Sequence, residues 1–163
     1  MGREHHFEAK IRWTGNKGSG TTSYDAYSRD HIIQCESKTE ILCSSAPAFR
    51  GDGTMYNPED LLVASLSSCH MLWYLHLCAE AGVVVTDYND SATGIMVVEK
   101  GGAGKFTEVT LNPVVTVEKP EMIAKANELH IRANQKCFIA NSCNFPIHHR
   151  PQAISAGITT GLN

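Results

Sequence analysis

Apolar and polar residues alternate along the opening segment. Phe7, Ala9, Ile11 and Trp13 face one way, and His6, Glu8, Lys10 and Arg12 the other. A period of two predicts a half-buried β-strand over this stretch. The run Gly15-Asn16-Lys17-Gly18-Ser19-Gly20 turns the chain. Residues 24–27, 31–35 and 39–43 predict a continuing strand meander, and residues 47–56, with Gly51 and Gly53, predict a loop.

The pattern then changes. From Pro58 to Ala81 apolar residues occupy nearly every helical face, which predicts a long helix buried all round. Asn57 suits the N-cap and Pro58 the first helical position. Glu59 and Asp60 suit the positive end of the helix dipole, and Gly82 is the natural residue just past its end. Ala64, Ser65, Ser67 and Ser68 are small and would let another backbone approach. Such a helix spans roughly 36 Å at about 1.5 Å per residue. Burying it within 163 residues is hard, and a homodimer with this helix at its centre is the simple solution.

Residues 83–85 and 94–98 read as strands, and Gly101-Gly102-Ala103-Gly104 as a turn. Residues 106–117 read as a strand or pair broken at Pro113. Pro120 opens a second helix with Met122, Ala126, Leu129 and Ala133 on one stripe, and residues 152–160 predict a closing strand. Strands, helix, strands, helix and strand make an α+β fold with mostly antiparallel pairing. No repeat or linker divides the chain, so residues 1–163 read as one domain.

A net charge of −3 is too small to argue for nucleic acid or an anionic membrane. No apolar run reaches the length of a membrane span, and the N-terminus lacks the apolar core of a signal peptide. Gly2 hints at myristoylation, but the pattern wants Ser or Thr where His6 stands. The expected location is therefore cytoplasmic. There, six cysteines without paired C-x-x-C spacing are not a disulfide framework or a strong zinc motif.

Cys69 lies in the middle of the first helix, too far from its N-terminus for the dipole to activate it. It would need a cation, and Arg50, in the loop feeding the helix, could supply one. Glu59 could in turn hold an arginine. An activated thiolate attacks an electrophile such as a peroxide oxygen. On spacing alone an inert core cysteine is favoured. Cys137 and Cys143 both qualify as an answering thiol, and residue type does not choose between them. Cys35, Cys43 and Cys78 read as structural. His70, His76, His130, His148 and His149 give only a weak metal signal. Cys69 and His76 are two turns apart, and His148 and His149 would point apart in a strand.

With these residues in view, the chain resembles the OsmC/Ohr family of thiol-dependent peroxidases. The likeness rests on Asn57-Pro58-Glu59 ahead of Ser67-Ser68-Cys69, on Cys137 after a second helix, and on the strand order. Trp13-Thr14-Gly15 and Phe49-Arg50-Gly51-Asp52 point to an OsmC-like branch. The resemblance implies an obligate homodimer that reduces organic hydroperoxides, with no metal, flavin or haem. It implies Cys69 as the peroxidatic thiol, Cys137 as the resolving thiol, and Glu59 as the acid that pairs with a catalytic arginine, for which Arg50 is the candidate. It implies an external dithiol reductant, often a dihydrolipoyl group. Phe138 stands where the family commonly has proline, and Cys143 is extra. The rival expectation is non-enzymatic: an apolar-ligand binder, or an oxidant sensor acting through Cys69. An apolar pocket around Cys69 would draw on Leu66, Leu72, Trp73, Phe7 and Trp13.

Overall fold

The computed structural model describes residues 2–155. They form two compact units, one up to Leu62 and one from Val63 onward. In the first, strands β1 (Lys10–Trp13), β2 (His31–Gln34) and β3 (Ile41–Cys43) make an antiparallel sheet in that order. The expected burial of the opening strand is not seen. All four residues of β1 are exposed, and Phe7, which lies before it, is 96% exposed. Residues 24–27 form turns and a single bridge, Asn16 to Tyr27, rather than a strand. Trp13 and Tyr27 instead meet edge to face at 5.7 Å.

Helix α1 (Pro58–Glu80) starts and ends where its caps dictate. The Asn57 Oδ1 accepts the Asp60 N–H at 2.8 Å, filling one of the orphan donors of the first turn. At the other end Gly82 adopts φ +71°, and the N–H of Val83 reaches back to the Cys78 carbonyl at 2.9 Å. This is the left-handed close that glycine makes at least cost.

The helix is not buried all round within its own chain. Leu66, His70, Tyr74, Leu77 and Cys78 form the one buried stripe, while Leu72 is 63% exposed. At 23 residues it is also long and apolar enough, by length and composition, to cross a membrane, contrary to the expectation from the sequence. Its buried stripe carries a histidine and a tyrosine packed into protein, which is the character of a core helix.

In the second unit, β4 (Val85–Asp90), β7 (Pro113–Val117) and β9 (Gln152–Ser155) form one sheet, and β5 (Thr93–Val98), β6 (Gly104–Leu111) and β8 (Ile147–His149) another. Asn112 separates β6 from β7, and Pro113 takes the first position of β7, where a missing donor is tolerated. The pairs β4–β7 and β5–β6 are antiparallel, but β6–β8 and β7–β9 are parallel, so the sheets are mixed. The part of the predicted closing strand beyond Ser155 lies outside the described residues. Helix α2 (Ile123–Lys136) follows a 3-10 turn at Pro120–Met122. It buries Ala126, Leu129, His130 and Ala133 against Tyr74, Leu77 and Cys78 of α1 and against Val115, Val117 and Ala153 of the sheet. A further short helix, α3 (Phe138–Asn141), was not apparent from the sequence.

Two contacts seat α1 on the strands. The Ser67 hydroxyl donates to Asp90 Oδ2 at 2.6 Å. A Cβ on Gly94 would come within 2.9 Å of Val63 Cγ2 and 2.7 Å of the Phe106 ring, so a larger residue there would force these side chains to shift and loosen the approach of helix to strand.

Candidate functional site

Positions four apart on a helix share a face, so α1 presents two adjacent stripes. Cys69 and Trp73 lie on one, His70 and Tyr74 on the next. Each stripe meets a different part of α2 and its continuation.

On the first stripe, Cys69 is half-buried and Cys137 is only 1% exposed. The two thiols are near enough for each to bear on the other's charge. Cys137 ends α2 with extended backbone, at φ −66° and ψ 112°, and at the same time caps α3. Its Sγ accepts the Ala140 N–H at 3.4 Å. Burial, and next the neighbouring Cys69 thiol, push the Cys137 thiol up to about 11, against the opposing pull of the α3 amides. Cys137 is therefore a protonated thiol at neutral pH. One turn along from Cys69, Trp73 meets the Phe138 ring edge to face at 5.5 Å, and the Lys136 ammonium lies 5.2 Å from the Trp73 ring centre. Phe138 is 68% exposed. The thiol pair is thus flanked by an aromatic corner with a cation on it.

Cys143 does not join this pair. Its thiol donates to the Ile139 carbonyl at 3.3 Å, and burial raises its pKa. Cys43 and Cys78 are buried, and burial raises both of their pKa values. Among the described residues all six cysteines are free.

On the second stripe, three histidines converge that the sequence left scattered. His70 Nε2 and His130 Nδ1 are hydrogen bonded at 3.0 Å with their rings parallel at 5.3 Å. Tyr74 stacks on His130 at 3.8 Å, and His149 lies 4.6 Å from His70. His148 and His149 do point apart: His149 turns inward, and His148 turns out towards Glu108. Burial drives His70 down to about 3 and His130 to about 4, each helped by charge on His149. All three rings are neutral at physiological pH. No group of three His, Cys, Asp or Glu side chains among the described residues has the arrangement of a metal site.

Arg50 and Glu59 are placed differently from the expectation. Arg50 closes a 3-10 turn with φ +62° and is ion-paired with Asp25, not Glu59. Its guanidinium lies 5.1 Å from the Tyr24 ring centre. The next residue must be glycine, because a Cβ on Gly51 would overlap the Ser45 carbonyl. Glu59 sits half-buried in the first turn of α1. Of the apolar residues expected around Cys69, Leu66 is wholly buried in the core, whereas Leu72 and part of Trp73 remain accessible.

The comparisons agree with this architecture. OsmC-like protein is the family description that matches, over residues 51–150. An OsmC-like protein of unknown function from Vibrio cholerae is 30% identical, with a TM-score of 0.80 over 93% of this chain and 100% of that one. An organic hydroperoxide resistance protein from Elizabethkingia anophelis shares the fold at 16% identity, with a TM-score of 0.69 over 96% of this chain and all of that one. An uncharacterized Bacillus subtilis protein, YmaD, is 24% identical over 85% of this chain and 87% of its own length. A family match spanning most of the chain, and a solved relative of the same fold at 30% identity, establish that this protein belongs to the OsmC-like family.

Proposed function

We propose that this protein is a cytoplasmic, thiol-dependent peroxidase that reduces organic hydroperoxides to alcohols. The observation that carries the proposal is the pairing of a half-buried Cys69 with a buried Cys137 on a family background that includes hydroperoxide resistance proteins. The accessible sulfur meets the oxidant, and the buried sulfur waits behind it.

In the first step the Cys69 sulfur attacks the outer peroxide oxygen. The S–O bond forms, the O–O bond breaks, and the alkoxide leaves as alcohol with the thiol's proton. Cys69 becomes a sulfenic acid. In the second step the Cys137 sulfur attacks the Cys69 sulfur. The disulfide forms, the S–O bond breaks, and hydroxide leaves as water with the Cys137 proton. An external dithiol, with a dihydrolipoyl group as the proposed identity, then exchanges through a mixed disulfide and restores both thiols.

Arg50 and Glu59 enter through the family resemblance. As placed, Arg50 is neutralised by Asp25, and it must leave that partner to stabilise a thiolate or a departing oxygen. We further propose a homodimer. Its support is the apolar surface left open on the second unit, with Leu72, Ile95 and Val97 each at least half exposed.

The test is mass spectrometry after one equivalent of cumene hydroperoxide, followed by turnover with excess dithiol. The expected product is a Cys69–Cys137 disulfide that forms and is reduced repeatedly. A single stoichiometric oxidation without turnover would instead identify an oxidant sensor.

A further inference from the structure

We propose that the buried His70–His130 hydrogen bond is a positioning element of the two-thiol site: it fixes where α2 crosses α1 and so sets Cys137 against Cys69. The inference rests on the peroxidase reading above for its purpose, but not for its geometry.

The two contacts are coupled by the helices that carry them. His130 and Cys137 are seven residues apart, about two turns and roughly 10 Å along α2. Their partners, His70 and Cys69, are neighbours on adjacent stripes of α1. Helix α2 therefore passes across α1 from one stripe to the next. A small slide or rotation of α2 at His130 displaces its C-terminal end, where Cys137 sits. Disulfide closure tolerates little of this, because the sulfurs must approach to about 2 Å with a defined dihedral angle.

The other contacts of α2 do not set this register. Tyr74 also stacks on His130, and Lys136 lies over Trp73, but a ring stack and a charge over a ring tolerate sliding that a hydrogen bond does not. Ala126, Leu129 and Ala133 make apolar contacts in the core, and these are non-directional. Asn127 Oδ1 accepts the Ala153 N–H at 3.1 Å, but that ties α2 to β9, not to α1. The His70–His130 bond is directional and joins α1 to α2.

Histidine is also an expensive choice at these positions. Both rings are fully buried, and His70 Nδ1 and His130 Nε2 have no hydrogen-bond partner among the described residues. An apolar side chain of similar size would pack without that cost. The polar contact each ring makes is with the other, so what the histidines supply beyond packing is that bond.

The test uses two amides at each position. At position 130 the bonding atom is Nδ1, which asparagine reproduces and glutamine moves one bond outward. At position 70 it is Nε2, which glutamine reproduces and asparagine withdraws. Stopped-flow fluorescence of Trp73, beside Phe138, reads two phases: peroxide-dependent oxidation of Cys69, and peroxide-independent closure with Cys137. We expect His130→Gln and His70→Asn to slow closure tenfold or more while the first phase stays within twofold. His130→Asn and His70→Gln should close within threefold of wild type. The same ranking is expected in the effective concentration of the Cys69–Cys137 pair against glutathione, which needs no peroxide. Equal closure rates for the asparagine and glutamine variants at both positions would overturn the proposal, as would an unchanged effective concentration. A wild-type protein with no peroxide-dependent phase would reject the peroxidase reading, and the glutathione measurement would still decide this one.

Discussion

The Cys137 side chain lies beside the Cys69 thiol and receives the Ala140 N–H at its own sulfur. One thiol thus closes a helix and faces a second thiol at once. The division of labour follows from burial. Cys69 is the half-buried partner and Cys137 the hidden one.

Replacing Cys69 with serine should abolish turnover. The swap is nearly isosteric, and serine cannot form a sulfenic acid. The thermal midpoint should move by no more than a few degrees. Residual peroxidase activity near the wild-type rate would rule out Cys69 as the reacting sulfur.

Cys137→Ser should leave the first oxidation intact and block recycling. Cys69 would then accumulate as sulfenic acid and, with excess peroxide, as sulfinic acid, each visible as an added oxygen mass. Cys143→Ser should cycle normally, because the Cys143 thiol is bonded to the Ile139 carbonyl instead. The reverse pair of phenotypes would show that the resolving thiol has been misassigned.

Much of this arrangement was legible in the sequence. The caps of α1 are local chemistry, and Asn57, Pro58 and Gly82 place both ends within a residue. The Cys69–Cys137 pairing came from resemblance, since no periodicity links residues so far apart. Three features were not legible. The exposed β1 alternates like a half-buried strand, and alternation does not say whether a partner covers the apolar face. The all-round apolar character of α1 exceeds what one chain buries. The histidine trio needs α1, α2 and β8 together. A histidine within each element looks like a satisfied core residue, and only tertiary contact reveals the ring-to-ring bond. Inward periodicity on α2 did offer a signal: His130 follows Leu129 and lies four residues from Ala126 on the buried face.

Arg50 offers a charge test. Freeing it from Asp25 by Asp25→Asn should speed the first oxidation if the guanidinium serves the reacting thiol. Arg50→Ala should slow it tenfold or more, which is about 1.4 kcal/mol or above in the barrier. Glu59→Gln should act in the same direction and more weakly. Rates of the first phase that are indifferent to all three changes would mean that another cation does this work.

Acid should destabilise the fold through the histidines. The ordinary imidazole value is 6.5, and burial lowers His130 to about 4 and His70 to about 3. Between those limits the unfolded chain binds protons that the folded one refuses. The contribution is therefore complete above about pH 6.5 and is lost as pH falls towards 4 and below. For His130 alone it amounts to about 3 kcal/mol. Asp90 opposes the effect at His149, while His148 reinforces it. Tyr74 and Tyr88 are held neutral by burial and take no part. Urea midpoints at pH 7, 5.5 and 4.5 should fall steadily, and His70→Gln should flatten the slope. Identical midpoints for wild type across that range would contradict this.

Substrate choice should follow the aromatic corner beside the thiols. Trp73, Phe138 and the exposed Leu72 present apolar surface close to Cys69, and the Lys136 ammonium sits over Trp73. An alkyl or aryl group laid against these side chains loses contact with water, and hydrogen peroxide has no such group. Each methylene buried contributes about 0.8 kcal/mol, so four carbons gain roughly 3 kcal/mol. At about 1.4 kcal/mol per tenfold, that is on the order of a hundredfold in kcat/KM. Phe138→Ala opens the corner and should remove about tenfold of the preference, chiefly through KM for the organic peroxide, with little change for hydrogen peroxide. Equal kcat/KM for cumene hydroperoxide and hydrogen peroxide in the wild-type protein would show that these rings are only packing, and that Cys69 is open to any peroxide that reaches it.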